Sequence, residues 1–280
     1  EGVEITELIS GGPAWRGKEI EEGDIILKVA QANAEPVSVA GMKLDAVVKM
    51  IKGKKGTQVT LTIKKADGFI KPISIIRDIV ELEETYLKSC IINKKGVKYG
   101  YIYLPQFYIN FGNKDARDAG KDMAIEIKRL KEQGVEGLIV DVRNDGGGSL
   151  KTVVDIAGLF IADGPIVQVK SSQGQEILYD RDSKIEWNGP LVIMVNGYSA
   201  SASEILAAAI QDYKRGVIVG STQTYGKGTV QNITGFNDFI RNSDIGDLGA
   251  VKATIQKFYR INGGSTQLKG VSSDVVMPDK

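Results

Sequence analysis

The sequence predicts an α/β protein in which strands alternate with helices around a buried sheet. Two apolar runs, at residues 137–143 and 190–196, are typical of strands that are buried on both faces. Each run is followed by a segment whose apolar residues recur at helical spacing. The 280 residues, 42% hydrophobic and 25% charged, are enough for about two ordinary globular domains.

The first 77 residues alternate short strands with turns. The predicted elements are a strand at 3–8, a turn at 10–14, a Gly-Asp turn and strand at 21–29, a helix at 44–53 and a strand at 57–63. The helix is predicted because Leu44, Val47 and Ile51 share one face, and Gly53 is expected to cap it.

From residue 78 onward the units are longer, which predicts a second domain over residues 78–280. Its predicted strands are 99–107, 137–143, 190–196 and 216–220, and its predicted helices are 115–133, one that begins near Leu150, and 202–213. Pro105 closes the first of these strands and Gly134 ends the first of these helices. Alternation of this kind predicts a sheet layered with helices.

Composition excludes several classes of function. A net charge of +1 gives no electrostatic reason to expect a nucleic acid partner. The chain has no histidine, so neither a Ser-His-Asp triad nor a zinc–histidine hydrolase site can form, and we expect no metal and no cofactor. Cys90 is the single cysteine, which rules out an intrachain disulfide, and no apolar run approaches the ~18 residues of a membrane span.

Three serines lie where a predicted strand passes into a predicted helix, in the stretch NGYSASASEI over residues 196–205. The first turn of a helix has unpaired N–H groups and a partial positive charge, so a serine there could attack a carbonyl beside ready donors for an oxyanion. Ser201 and Glu204 also fit a capping box, which requires no catalysis. Both interpretations of the serine loop stay open.

Lys227 could take the place of the missing histidine. It lies between two glycines, on a loop able to approach another chain segment closely. A lysine acts as a base only when neutral, which requires its pKa to fall from about 10.4 to about 7–8, and burial can supply such a shift. Gln231 could orient the amine without restoring its charge. The alternative is that Lys227 is a turn residue exposed to solvent.

Three consecutive glycines, residues 146–148, follow the buried strand at 137–143 and precede a helix. A tight turn alone could explain them, but this number of glycines also suits backbone N–H groups that face an anion. A nucleotide is not expected. No G-x-G-x-x-G is present, and the glycines around Lys227 lack the spacing, the Ser/Thr and the following helix of a phosphate-binding loop.

Taken together, the segments 141–150, 196–213, 220–231 and 255–278 resemble the carboxyl-terminal processing, or tail-specific, serine peptidases. The resemblance implies a crotonase/ClpP-like α/β peptidase core with a Ser-Lys dyad. It assigns Ser201 as nucleophile, Lys227 as base and Gln231 as the residue that positions the lysine. The implied oxyanion donors are the N–H groups of Gly148 and Ala202. One extra residue between the helix and the G-K-G loop is a small departure from the family pattern.

Residues 1–77 resemble the later part of the PDZ module that precedes the catalytic core in this family. We expect a partial PDZ domain whose N-terminal strand and carboxylate-binding loop are missing. Val47 and Ile51 would line its peptide groove, although both residues suit a hydrophobic core equally well. With that loop missing, weak binding of C-terminal peptides is expected.

The resulting hypothesis is a serine endopeptidase that degrades or processes polypeptides recognised by their apolar C-termini. The resemblance implies a periplasmic or cell-envelope location, and it is compatible with an adaptor or lipoprotein partner. Two other classes of function remain open. One is a PDZ-containing peptide-binding scaffold with a silent hydrolase core, and the other is a non-proteolytic acyl-transfer enzyme of crotonase-like shape.

Overall fold

A computed structural model describes residues 2–9, 12–32, 34–78, 80, 85–110, 116–181, 183–239, 246 and 248–278. The chain divides into two compact units, Glu1–Glu83 and Glu84–Lys280. No helix within these described ranges is long and apolar enough to cross a membrane. Part of the predicted turn at 10–14 and of the transition at 77–88 lies outside the described residues.

The first unit is an antiparallel sheet with two short helices. Its elements are β1 (Val3–Glu4), α1 (Pro13–Gly17), β2 (Ile25–Gln31), β3 (Val37–Ser38), α2 (Leu44–Ile51), β4 (Gln58–Lys64) and β5 (Ile70–Ile76). The sheet order is β1-β2-β4-β5, and the short strand β3 pairs with Lys28 and Val29 of β2. Side chains along β4 alternate between its two faces, so Val59, Leu61 and Ile63 lie in the core, as the sequence pattern predicts.

The end of α2 differs from the expectation. The helix ends at Ile51, because Lys52 is already extended, with φ −67° and ψ 154°. The guanidinium of Arg77 caps it by donating to the carbonyls of Ile51, at 2.8 Å, and Met50, at 3.0 Å. Gly53 leaves room for that side chain, since a methyl group there would lie 2.8 Å from the guanidinium.

The second unit is built on a six-stranded sheet of order β15-β12-β11-β8-β7-β6. Its strands are β6 (Lys88–Lys94), β7 (Val97–Tyr103), β8 (Gly137–Asp141), β11 (Leu191–Val195), β12 (Val217–Gly220) and β15 (Val275–Val276). Strand β6 is antiparallel to β7, and all other pairs are parallel. The carboxyl ends of β7, β8, β11 and β12 therefore meet at one edge of the sheet.

Three helices and a second sheet complete this unit. The helices are α3 (Ala119–Glu132), α4 (Leu150–Gly158) and α5 (Ala202–Asp212), and the antiparallel sheet β10-β9-β14-β13 consists of β9 (Gly164–Ser171), β10 (Gly174–Asp180), β13 (Thr229–Gly235) and β14 (Ala250–Tyr259). Helix α5 is buried from Ala202 to Ile210 and contacts α4, β9 and β12. Its run of alanines allows this close packing from several sides.

Helix α3 begins later than the predicted residue 115. Asp118 starts it, because its carboxylate accepts the N–H groups of Gly120, at 2.8 Å, and Lys121, at 3.4 Å. Residue 115 lies outside the described residues. The α/β prediction itself is confirmed.

Candidate active site

The three serines of residues 196–205 occupy different environments. Ser199 and Ser203 are fully buried. The hydroxyl of Ser199 donates to the carbonyl of Val142 at 2.8 Å, and the hydroxyl of Ser203 donates to the carbonyl of Asp145 at 2.9 Å. Both therefore tie the serine loop to the turn after β8. Ser201 is half-buried, and it is the residue of the three that retains access to solvent.

Ser201 lies at the N-cap of α5 in a strained backbone conformation, with φ 58° and ψ −110°. These angles are those of the first central residue of a type II′ turn, where glycine is usual. A sharp turn of this kind between β11 and α5 lifts the side chain out of the sheet edge. Such a strand-to-helix elbow is how several hydrolase folds present a nucleophile.

The glycine turn after β8 lies directly against Ser201. A methyl group added to Gly147 would be 2.7 Å from Cβ of Ser201 and 3.0 Å from the nitrogen of Ala202. Phe107 holds the turn from the other side, since it donates to the carbonyl of Gly147 at 3.1 Å and accepts from the N–H of Ser149 at 2.9 Å. Only glycine fits this contact.

Two backbone donors are left unused at this junction. Within the described residues, neither the N–H of Gly148 nor the N–H of Ala202 makes a hydrogen bond. Ala202 is the first residue of α5, where the helix dipole adds a partial positive charge. The two N–H groups are placed to donate hydrogen bonds to a negatively charged oxygen beside Ser201.

Residues 221–228, between β12 and β13, form a loop that we call the Lys227 loop, and its two glycines determine its shape. Gly226 has φ 91°, and a methyl group on it would lie 3.1 Å from the backbone of Leu268. A methyl group on Gly228 would lie 2.8 Å from Cβ of Gln267. Lys227 itself is half-buried. The glycines therefore allow the segment around residues 266–268 to support the lysine closely.

Glu204 joins the serine loop to the Lys227 loop, a role that the sequence analysis missed. Its side chain is fully buried. Oε2 accepts the N–H groups of Ser201, at 2.8 Å, and Lys227, at 2.9 Å. Oε1 accepts the hydroxyl of Thr224 and the N–H of Gly226, both at 2.7 Å. Burial raises the pKa of Glu204, and these four donors offset part of the rise.

The predicted catalytic side chains are not hydrogen-bonded to one another in the described residues. Among the described residues, the Lys227 amine, the Ser201 hydroxyl and the Gln231 amide make no hydrogen bond with one another. Gln231 is exposed on β13. Catalytic hydrogen bonds often form only when substrate binds, so their roles stay predictions. No group of three or more potential metal ligands occurs in the described ranges.

A cavity of about 450 Å³ opens where the parallel strands end. Asp141 lies in the wall of this cavity. Its carboxylate accepts hydrogen bonds from the Arg143 guanidinium, at 2.7 Å, and from the hydroxyl of Tyr101, at 2.6 Å. Burial and the neighbouring carboxylate raise the pKa of Tyr101 to about 12, so its hydroxyl is a donor at neutral pH. Asn144 and Asn196, also in the wall, hydrogen-bond to each other and link the glycine turn to the serine loop.

The two residues predicted to line a peptide groove lie on α2 of the first unit. Val47 is fully buried, and Ile51 is half-buried against the same hydrophobic core. Their packing shows the core role, and a contact with peptide stays a prediction.

Comparison with known proteins identifies both parts of the chain. The model of peptidase family S41 matches residues 98–277, and that of the PDZ domain matches residues 1–64. The tail-specific protease of Haemophilus influenzae is 44% identical over 279 residues, 99% of this chain and 39% of that protein. The carboxy-terminal processing protease CtpA of Bacillus subtilis is 30% identical over 97% of this chain and 52% of that protein.

A solved structure, the photosystem II D1 C-terminal processing protease, aligns with a TM-score of 0.56 and 28% identity, covering 99% of this chain and 68% of that one. The chain spans about half the length or less of the two curated relatives named. The resemblance inferred from the serine, glycine and lysine motifs is confirmed. Since the family model matches well over half of its length, the chain belongs to peptidase family S41.

Proposed function

We propose that this protein is a serine endopeptidase in which Ser201 is the nucleophile and Lys227 the general base. The observation that carries the proposal is the Glu204 carboxylate, one oxygen of which accepts the N–H groups of both residues. A shared buried acceptor holds the two backbones at one point, although they belong to different loops. The names of the relatives are those of proteases, which favours a peptidase over a peptide-binding scaffold with a silent core.

The reaction begins when the neutral amine of Lys227 takes the proton of the Ser201 hydroxyl as Oγ attacks the peptide carbonyl carbon. The carbonyl oxygen becomes an oxyanion and accepts the N–H groups of Gly148 and Ala202. The Lys227 ammonium then protonates the departing amine, and an acyl-enzyme remains on Ser201. Lys227 then takes a proton from a water molecule, whose oxygen attacks the acyl carbon. The ester bond to Oγ breaks, Lys227 returns the proton to Oγ, and the acid product leaves. Gln231 would orient the Lys227 amine without stabilising its protonated form, because its side chain is uncharged.

The proposed substrates are polypeptides with apolar C-termini, because the first unit matches the PDZ domain model and such modules bind peptide ends. Contacts of such a peptide with Val47 and Ile51 belong to the same proposal. A periplasmic or cell-envelope location, and an adaptor or lipoprotein partner, belong to the proposal and are supported by the family resemblance alone.

The test compares casein hydrolysis by the purified protein with that by serine variants. Ser201→Ala is expected to lower kcat on the order of 10⁶-fold, since the nucleophile is lost. Ser199→Ala and Ser203→Ala are matched controls that lose buried hydrogen bonds and should retain substantial activity. Equal loss in all three variants, or turnover by Ser201→Ala, would contradict the nucleophile assignment.

The second arm of this experiment tests the base. Lys227→Arg should be close to inactive, because a guanidinium stays protonated at any working pH. Removal of a general base lowers the rate by about 10²–10⁴-fold, so Lys227→Ala should fall in that range. An active arginine variant would show that the serine proton goes elsewhere.

A further inference from the structure

Asp145 is a buried carboxyl group inside the glycine turn, and the reaction above does not use it. Its side chain is fully buried. Oδ1 accepts the N–H of Gly147 at 2.7 Å, whereas Oδ2 is buried without a hydrogen-bond partner among the described residues. An ionised carboxylate in such a place is costly, because it has left water without a cation or a full set of donors. This geometry favours the neutral, protonated form of the Asp145 carboxyl group.

The backbone of Asp145 connects the two sides of the oxyanion hole. Its carbonyl oxygen accepts the N–H of Ala200 and the hydroxyl of Ser203, both at 2.9 Å. These two residues flank Ser201 and Ala202 in sequence. Its side chain fixes Gly147, which precedes the other donor, Gly148. One residue therefore holds both donor groups in place.

The electrostatic surroundings agree with a neutral group. Burial raises the pKa of Asp145 to about 8, and the Gly147 N–H and Ser203 hydroxyl offset part of the rise. Charged side chains on the turn and the adjoining helices have other partners: Glu204 holds the Lys227 loop, Asp141 pairs with Arg143, and Lys151 pairs with Asp155.

We propose that Asp145 is a positioning residue that works as a neutral carboxylic acid, holding the Gly147–Gly148 turn against Ser201, and that its ionisation disables the oxyanion hole. The inference rests on the proposed function. A negative charge on Asp145 next to the developing oxyanion would oppose it, because the Asp145 carboxyl group is buried and water screens its charge little. An ionised Asp145 would also attract further donors and distort the turn.

The test is kcat/KM between pH 7.5 and pH 9.5 for the wild type, Asp145→Asn and Asp155→Asn. Asparagine keeps an acceptor for the Gly147 N–H and has no proton to lose at these pH values. The ratio of kcat/KM at pH 9.5 to that at pH 7.5 is expected to be on the order of 10-fold higher in Asp145→Asn than in the wild type, because a carboxyl group with a pKa of about 8 is mostly neutral at pH 7.5 and mostly ionised at pH 9.5. The control Asp155→Asn, which alters the exposed pair with Lys151, should keep the wild-type ratio.

A second readout does not depend on activity. The folded-state pKa of Asp145 is raised above its ordinary value of 3.8, so the folded protein binds this proton more tightly than the unfolded chain does. The stability of the wild type relative to Asp145→Asn should therefore fall as pH rises from about 4 to about 8 and be constant above that range.

Equal pH ratios in the wild type and Asp145→Asn, or a constant stability difference from pH 4 to 8, would overturn the proposal. A failure of the peptidase assignment is recognised separately, because it would appear as turnover by Ser201→Ala at pH 7.5.

Discussion

At the scale of single residues, the serine loop shows that identical side chains can have opposite tasks. Ser199 and Ser203 point inward and bind carbonyls of the neighbouring turn, while Ser201 stays accessible. The sequence motif predicted a serine nucleophile but contained no local sign of these contacts, since their partners are more than 50 residues away along the chain. The family resemblance, and not the spacing, singled out Ser201.

For Glu204, the sequence predicted only a helix-capping role, which is part of what its side chain does. The predicted capping interaction exists, because its carboxylate accepts the Ser201 N–H. The same carboxylate also accepts three donors from the Lys227 loop. Sequence spacing cannot reveal those bonds, because they depend on how β12 and the loop after it return to α5.

Glu204→Gln is therefore expected to reduce kcat with a smaller effect on KM. An amide has one acceptor oxygen, so two of the four buried donors would face an NH₂ group, and each unpaired group costs about 1–3 kcal/mol. The measurement is kcat, KM and the unfolding midpoint. Glu126→Gln, which changes a carboxylate paired with Arg129 on the surface of α3, is the control. Unchanged kcat in Glu204→Gln would show that the carboxylate does not position the two loops.

At the scale of elements, the buried strands and helices were the predictable part. Strands β8 and β11 and helix α5 agree with their predicted bounds to within two residues. Their apolar runs carry a strong signal because both strand faces are covered. Strands β3, β5, β6, β9, β10, β14 and β15 were not identified. Residues of β6 and β10 are largely exposed, so pairing with neighbours, which sequence periodicity does not report, determines those strands.

The glycines of the Lys227 loop provide a prediction at this scale. Gly226→Ala should lower kcat/KM by more than about 10-fold, because the added methyl would press on the backbone of Leu268 and displace the lysine. Gly68→Ala is the matched control. That glycine also has a positive φ, of 88°, but has open space around it.

Both variants incur the left-handed backbone cost of about 1–2 kcal/mol, which should lower the unfolding midpoint of each. Only Gly226→Ala should also lose activity. Equal activity of the two variants would mean that the close approach to Leu268 has no part in placing Lys227.

At the scale of the whole molecule, each unit has a hydrophobic core of its own. The sequence predicted the change of pattern near residue 77, whereas the compact units divide at Glu83, in a stretch that is partly outside the described residues. The order of strands within each sheet could not be predicted, because β-pairing joins segments far apart along the chain.

Separate cores lead us to expect two unfolding transitions in calorimetry. Val47→Ala and Val140→Ala remove the same two methyl groups from fully buried sites in the first and second unit. Each should destabilise its own unit by about 2 kcal/mol, since transfer and cavity contributions add. We expect Val47→Ala to lower one transition and Val140→Ala the other. A single transition lowered equally by both would show that the units unfold together.

The backbone of Ser201 has a consequence for the balance between stability and the proposed catalysis. Its φ of 58° and ψ of −110° cost about 1–3 kcal/mol for any residue with a β carbon. Alanine at this position would retain the cost and, under the proposed mechanism, abolish the chemistry, so Ser201→Ala is expected to be an inactive variant with unchanged backbone that retains bound polypeptides. Glycine would relieve the strain and leave no hydroxyl group. The residue that would best stabilise this turn is thus one that could not carry out the proposed reaction, and stability is lower at the position where that reaction is proposed to begin.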